Sequence, residues 1–122
     1  GSVEFAAERF GTRLVIVLGH TRCGAIQATI EQLLNPAATA TSNLRSIVGR
    51  IRPSIETLMA TGLRNDLEAL ARLAVRANIR ASLDHLRHGS QTIEQMIQSG
   101  GLLVVGAEYS LETGVVEFFD VP

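Results

Sequence analysis

The stretch that decides the fold is LVIVLGHTRCGAIQATI, which runs from Leu14 to Ile30. Its first five residues are all aliphatic and do not alternate with polar residues, a pattern that predicts a strand buried on both faces, as in a parallel sheet covered by helices. After Gly19 the apolar residues recur at helical spacing, so we expect a helix that begins close to Cys23 and ends at about Leu34. The stretch therefore predicts a strand, a turn and a helix in direct succession.

Two side chains with metal-binding chemistry lie in that turn, His20 and Cys23, and Cys23 is the only cysteine of the chain. Both residue types ligate zinc, and an H-x-x-C spacing on a turn lets both point at one ion. A cysteine near a helix N-terminus also suits a nucleophile, because the helix dipole favours its thiolate. Taken alone, however, the pair is more typical of a core than of a metal site. A zinc site takes three or four ligands, and we expect His85 and His88 at the solvated surface of a helix.

The remaining helices have clear boundary signals. We expect Ser2 to cap a short first helix that Gly11 ends. Pro53 is expected to stop a helix in the middle of the chain. A longer amphipathic helix should begin at position 65 or 66 and end at Gly89, and Ser90 should cap a short helix after it.

Two further strands are predicted near the C-terminus, LLVVGAEYSL at 102–111 and VVEFFDV at 115–121, joined as a hairpin by the tight turn ETG. A long helical crossover separates the first strand of the chain from the second. This order predicts a right-handed connection with parallel pairing, and a last strand that is antiparallel at one edge of the sheet. In open α/β sheets ligands bind beyond the carboxyl ends of the strands, and the turn from Gly19 to Gly24 lies at such an end.

The composition limits the class of protein. The chain has 122 residues, 46% of them hydrophobic, and a formal net charge of −1, which fits one globular domain and excludes a disordered tail or a polyanion-binding surface. A single cysteine forms no intrachain disulfide, and no apolar run approaches the roughly 20 residues of a membrane span. We therefore expect a soluble cytoplasmic protein with no nucleic-acid partner and no membrane segment.

Two segments carry a family resemblance. SVEFAAERFGTRLVIVLGHTRCGAIQAT, at 2–29, resembles the central segment of β-class carbonic anhydrases, with its Ser-x-Glu-Tyr-Ala-like helix, its strand and its Gly-His-x-x-Cys-Gly-Ala turn. ANIRASLDHLRHGSQTIEQMIQSGGLLVVGAEYSLETGVVEFFD, at 77–120, is similar to the later half of that family, including a Leu-x-Thr-Gly hairpin. The resemblance covers nearly the whole chain, and 35–76 is the least similar part.

The resemblance implies a fold. We expect residues 1–122 to form a single β-carbonic-anhydrase-like domain of three α/β/α layers, with a mostly parallel sheet and an antiparallel hairpin at its C-terminal edge. The chain matches the central and C-terminal portion of the family fold, so two N-terminal strands of that fold are expected to be missing.

The resemblance also implies an activity, the reversible hydration of carbon dioxide to bicarbonate by a zinc-bound hydroxide. The family holds zinc with two cysteines and one histidine. By position, His20 and Cys23 match the second and third of these ligands, and Gly24 matches the turn glycine beside the site, where substrate binds. Family members work as dimers or multiples of dimers.

One motif of the family is absent. The first zinc ligand comes from a Cys-x-Asp-x-Arg motif, whose aspartate and arginine form a pair beside the metal, and this sequence contains no such motif. We therefore expect an incomplete zinc site within one chain, no catalytic residue beyond the zinc-bound water, and impaired activity. The chain is either a fragment of a longer enzyme or a reduced relative. The alternatives are a non-catalytic module that associates or binds an anion near Gly24, and a thiol-based function of Cys23.

The missing strands also predict association. Without its neighbour, the strand from Leu14 to Leu18 leaves an apolar sheet edge open to pairing, so we expect a homodimer or higher oligomer formed through that edge. Two chains that meet at a two-fold axis could also pool their His20 and Cys23 side chains into one Cys2His2 zinc site, which would be closed and hence structural.

Overall fold

The computed structural model describes every residue from Gly1 to Pro122. The chain forms five α-helices, one short 3-10 helix and three strands. Their order is α1 (Ser2–Phe10), β1 (Leu14–His20), α2 (Gly24–Leu34), α3 (Ser42–Met59), the 3-10 helix (Leu63–Asn65), α4 (Leu67–His88), α5 (Gln91–Gln98), β2 (Leu103–Tyr109) and β3 (Val116–Asp120).

The three strands form one sheet in the order β1-β2-β3. Strands β1 and β2 are parallel, in a register that runs from Leu14 opposite Leu103 to His20 opposite Tyr109. Strand β3 pairs antiparallel with β2, with an irregularity at Gly106. The predicted α/β class, the parallel pair and the hairpin at one edge are confirmed. The parallel pairing requires a long crossover, which α2 to α5 provide.

Helix α4 packs closely against one side of the sheet, and two glycines permit this approach. A Cβ at Gly19 would lie 2.5 Å from the Cδ1 of Ile79, and one at Gly106 would lie 2.7 Å from the Cδ1 of Leu83. Ile79 and Leu83 are both buried in the main hydrophobic core. Because side chains alternate along a strand, Val15 and Val17 point to the same side as Gly19 and also pack against this core.

The other side of β1 is exposed, which corrects the prediction of a strand buried on both faces. Solvent-exposed and partly buried residues alternate strictly along β1. In the register of the sheet, the exposed apolar residues of all three strands share the side away from α4. We call this set the open face; it comprises Leu14, Ile16, Leu18, Leu103, Val116 and Phe118. The aliphatic run alone could not distinguish a central strand from this edge strand, because both favour the same residues.

Two helix predictions are also wrong in detail. Pro53 does not stop a helix, because α3 continues through it. Ile51 and Ile55 are buried on either side of Pro53, so packing outweighs a local cost of about 3 kcal/mol for an interior proline. In α1 the N-cap is Gly1 and Ser2 is already helical, whereas Gly11 ends the helix in the left-handed conformation as expected. None of the helices combines the length and apolar character that crossing a membrane requires.

Candidate metal site

His20 and Cys23 lie at the carboxyl end of β1, as the sequence predicts. His20 is the last residue of β1, and Cys23 is the N-cap of α2 in an extended conformation. His20 is exposed and Cys23 is partly buried. Only Thr21 and Arg22 separate them, and Arg22 adopts a positive φ of 54°. This left-handed residue turns the chain sharply between the strand and the helix.

The imidazole of His20 has one nitrogen engaged by the backbone. Its Nδ1 lies 2.8 Å from the carbonyl oxygen of Thr21. Because a carbonyl only accepts, Nδ1 is the protonated nitrogen and Nε2 carries the lone pair. Metal-bound histidines commonly donate one ring N–H to a carbonyl while the other nitrogen binds the ion. The donor set of an imidazole Nε2 and a thiolate thus fits a zinc ion.

The chain itself supplies only these two donors. No group of three or more His, Cys, Asp or Glu side chains lies close enough together to hold a metal ion anywhere in Gly1–Pro122. His85 and His88 are exposed in the last turn of α4, as expected. Arg87, in the same turn, donates to the carbonyl of Val104 near the start of β2, so this turn lies at the end of the sheet opposite His20.

The two glycines that flank the turn have different roles. A side chain at Gly19 would collide with α4, so Gly19 serves the packing of β1. Gly24 is the first residue of α2 and is exposed, and a Cβ there would meet no atom of this chain within 4 Å. Close packing within the chain therefore does not require a glycine at position 24, and its role beside substrate stays a prediction from the resemblance.

The hairpin between β2 and β3 holds the turn through a set of hydrogen bonds that the sequence reasoning missed. The Glu112 carboxylate accepts from the Thr21 hydroxyl at 2.9 Å and from the Ser110 hydroxyl at 3.0 Å, and it lies 2.7 Å from the Nε of Arg22. The backbone N–H of Leu111 donates to the Thr21 hydroxyl oxygen at 3.0 Å. The parallel register places these residues together although they are about 90 positions apart, and no local pattern signals that proximity.

The charge state of Glu112 follows from these contacts. The pKa of its carboxyl group is lowered, first by a hydrogen bond from its own backbone N–H, then by the hydroxyls of Thr21 and Ser110, with a smaller contribution from the charge of Arg22. Each of these donors favours the ionised form. Glu112 is therefore a carboxylate acceptor at neutral pH.

A second charged cluster lies on the α4 side of the sheet. Arg76 of α4 donates to Glu108 of β2 at 2.7 Å and to Glu117 of β3 at 2.8 Å, and its guanidinium lies over the ring of Phe119. The pKa of Arg76 is raised, chiefly by the hydrogen bond to Glu108. Two carboxylates already balance this cation, so the cluster is a structural tie between the helix and the hairpin.

Together these features define a class of protein: a small α/β domain with a His-x-x-Cys turn at the carboxyl end of a parallel strand. A protein-family model described as carbonic anhydrase matches residues 1–116. A carbonic anhydrase of Mycolicibacterium smegmatis is 32% identical over 117 residues, which are 96% of this chain and 54% of that protein. The chain belongs to the β-class carbonic anhydrase family, and it spans about half the length of this curated relative.

Solved structures share the fold at lower identity. The β-carbonic anhydrase of Coccomyxa, solved in complex with acetazolamide, superposes with a TM-score of 0.78 at 20% identity over 96% of this chain and 51% of that one. Tetrameric β-carbonic anhydrases of Sordaria macrospora give a TM-score of 0.73 at 17% identity, over 96% of this chain and 57% of the other. The arrangement of helices and strands is therefore that of β-carbonic anhydrases.

Proposed function

We propose that this chain is part of a zinc-dependent carbonic anhydrase that hydrates carbon dioxide reversibly to bicarbonate, with His20 and Cys23 as two of its zinc ligands. The observation that carries the proposal is the turn at the end of β1, where the backbone engages the Nδ1 of His20 and leaves its Nε2 for an ion. Membership of the family supports the reaction. When bound, zinc supplies the Lewis acidity that activates water for attack on carbon dioxide.

The residues of this chain orient two donors and no more. The Thr21 carbonyl fixes the ring of His20, and the N-cap position holds Cys23 at the N-terminal end of α2. Because a catalytic zinc site takes three protein ligands, we expect a further polypeptide segment to supply the third. We therefore expect the chain on its own to hydrate carbon dioxide poorly, and to gain activity when a segment with a Cys-x-Asp-x-Arg motif is supplied.

Association through β1 is part of the same proposal. Strand β1 pairs with β2 along one edge only, and its exposed Leu14, Ile16 and Leu18 lie on the open face. An unpaired apolar edge is a template for another strand. We expect a second copy to occupy this edge, so that the chain is a homodimer or a higher oligomer in solution.

Stopped-flow measurement of carbon dioxide hydration, together with zinc content, tests the assignment of His20. The variant His20→Ala should lose most of its bound zinc and any hydration above the uncatalysed rate. The matched control is His85→Ala, which removes an exposed imidazole from α4 and should leave both quantities unchanged. Hydration that survives His20→Ala would overturn the assignment. If wild type binds zinc but remains inactive with the Cys-x-Asp-x-Arg segment supplied, the alternative of a non-catalytic module is favoured.

Light scattering after gel filtration tests the association. The variant Ile16→Lys places a charge on the open face and should shift the chain toward the monomer. The control Leu73→Lys alters an apolar side chain of similar exposure on α4 (48%, against 42% for Ile16) and should not change the mass. A monodisperse wild-type monomer would overturn the proposed dimer. A ratio of one zinc per two chains would instead support a pooled Cys2His2 site.

A further inference from the structure

We propose that Glu112, at the tip of the β2–β3 hairpin, is a positioning residue that sets the geometry of the His20–Cys23 turn through Thr21 and Arg22. This inference rests on the proposed role of that turn in metal binding and deepens it. Glu112 does not touch either donor. It acts on the two residues between them.

The contacts of Glu112 reach both intervening residues. One carboxylate oxygen accepts from the Thr21 hydroxyl at 2.9 Å, and the other lies 2.7 Å from the Nε of Arg22. Two charge-assisted contacts from one carboxylate restrict the turn more than either contact alone. The hydroxyl of Ser110 donates to the carboxylate at 3.0 Å and holds it in place from its own hairpin.

Thr21 is the link between this carboxylate and the imidazole. Its hydroxyl donates to Glu112 and accepts from the backbone N–H of Leu111, and its own backbone N–H donates to the carbonyl of Tyr109 at 3.0 Å. These bonds fix the position of Thr21 relative to the end of β2. Because the carbonyl of Thr21 accepts from the Nδ1 of His20, the orientation of the ring follows that of Thr21.

Arg22 is the link to the thiol. It occupies the left-handed region at φ 54°, which is unfavourable for a residue other than glycine. The ion pair with Glu112 favours this conformation, and the next residue is Cys23, the N-cap of α2. A relaxed Arg22 would change the direction in which the chain enters α2, and with it the distance between thiolate and imidazole.

Binding of Co²⁺ as the probe ion, in the presence of imidazole as the missing donor, tests the inference. The thiolate-to-cobalt absorption band then reports the thiolate of Cys23. Groups that orient the first ligands typically change metal affinity by about 10- to 100-fold, so Glu112→Ala should weaken Co²⁺ binding about tenfold and shift the band. Thr21→Val should do the same, whereas Thr21→Ser keeps the hydroxyl and should restore wild-type binding.

The matched control is Glu117→Ala. It removes a carboxylate of the same hairpin, but this carboxylate contacts Arg76 and not the turn. It should leave the affinity for Co²⁺ and the band unchanged.

Amide hydrogen exchange provides a second measurement that needs no metal. In Glu112→Ala the amides of Thr21 and Leu111 should exchange about tenfold faster, with those of α4 unaffected.

The outcomes separate this inference from the proposed function. If wild type shows no thiolate-to-cobalt band, the proposed metal site is wrong, and the exchange rates alone decide whether Glu112 holds the turn. If wild type shows the band and Glu112→Ala matches it in affinity and spectrum, the inference is overturned while the proposed function stands. If Thr21→Ser binds as poorly as Thr21→Val, the hydroxyl is not the link.

Discussion

The two sides of the sheet differ in how completely other parts of this chain cover their apolar side chains and pair their polar groups. Against α4, Arg87 donates to the carbonyl of Val104 and to Asp120, and Arg76 joins two carboxylates. No buried side-chain nitrogen or oxygen lacks a hydrogen-bond partner. On the open face, by contrast, Leu14 and Leu18 are each about half exposed, and β1 has no neighbour along its outer edge.

The His20–Cys23 turn follows β1, the strand whose outer edge has no neighbour. His20 follows Leu18 in the alternation of β1, so its side chain belongs to the side away from α4. Hydrogen bonds from the β2–β3 hairpin hold the turn in place, while His20 is left exposed on the other side of the sheet. Changes on the α4 side should therefore alter the stability of the fold, and changes around the turn should alter ligand geometry with little effect on stability.

The largest expected effect comes from the core under the sheet. Leu83 of α4 is fully buried, and Leu83→Ala should lower the free energy of unfolding by about 2–5 kcal/mol, the usual cost of removing a buried leucine side chain. Leu73→Ala, on the exposed side of the same helix, should change it by less than about 0.5 kcal/mol. Urea unfolding of both variants measures the contrast. Equal losses would mean that α4 also buries its outer side in solution.

The variant Gly19→Ala disturbs the packing of β1 against α4 by adding a side chain to the strand. The added Cβ would lie 2.5 Å from the Cδ1 and 2.7 Å from the Cγ1 of Ile79, a buried side chain with little room to move. Overpacking of this kind costs about 1–3 kcal/mol. Gly24→Ala serves as the control because the space around it is open, and its free energy of unfolding should stay within about 0.5 kcal/mol of wild type. Thermal unfolding distinguishes them, and a neutral Gly19→Ala would show that α4 shifts easily.

Two ion pairs of similar length but different burial sharpen the comparison. Arg76 lies 2.7 Å from Glu108, whose side chain is 14% exposed, while Arg52 lies 2.6 Å from Glu56, with both side chains more than half exposed. Arg76→Met leaves a mostly buried carboxylate without its partner, and should cost about 1–3 kcal/mol. Arg52→Met should cost less than about 0.5 kcal/mol. Chemical denaturation of the two variants provides the test, and equal costs would contradict the importance of burial.

The sequence predicted most of the fold because local signals and packing agree over most of the chain. Gly11, Ser90 and the ETG turn end or begin elements where expected, and His20 and Cys23 lie at the predicted junction of strand and helix. The prediction that Pro53 ends a helix is wrong because the burial of neighbouring residues keeps α3 helical, and this burial depends on how the whole chain packs. The exposure of β1 and the contacts of Glu112 with Thr21 depend on strand order and register, which no short segment of sequence contains.

The smallest expected effect is the pH dependence of the Glu112 contacts. The folded state lowers the pKa of this carboxyl below its ordinary value of 4.5, led by its own backbone N–H and by the hydroxyls of Thr21 and Ser110. A lowered pKa means that the contribution of Glu112 to stability is present above the ordinary value and is lost as the pH falls through the folded-state value. Wild type should therefore melt slightly above Glu112→Gln at neutral pH, and this advantage should vanish in acid.

Paired melting curves of wild type and Glu112→Gln at a series of pH values from about 7 down to about 2 follow this advantage as the carboxylate is protonated. Glu117→Gln in the same hairpin is the matched control for the general effect of removing a carboxylate. Because Glu112 lies at the surface, the shift in melting temperature should be small even where the loss of Co²⁺ affinity is large. A large stability loss at pH 7 would instead make Glu112 a support of the whole sheet, and the division between the two sides would no longer hold.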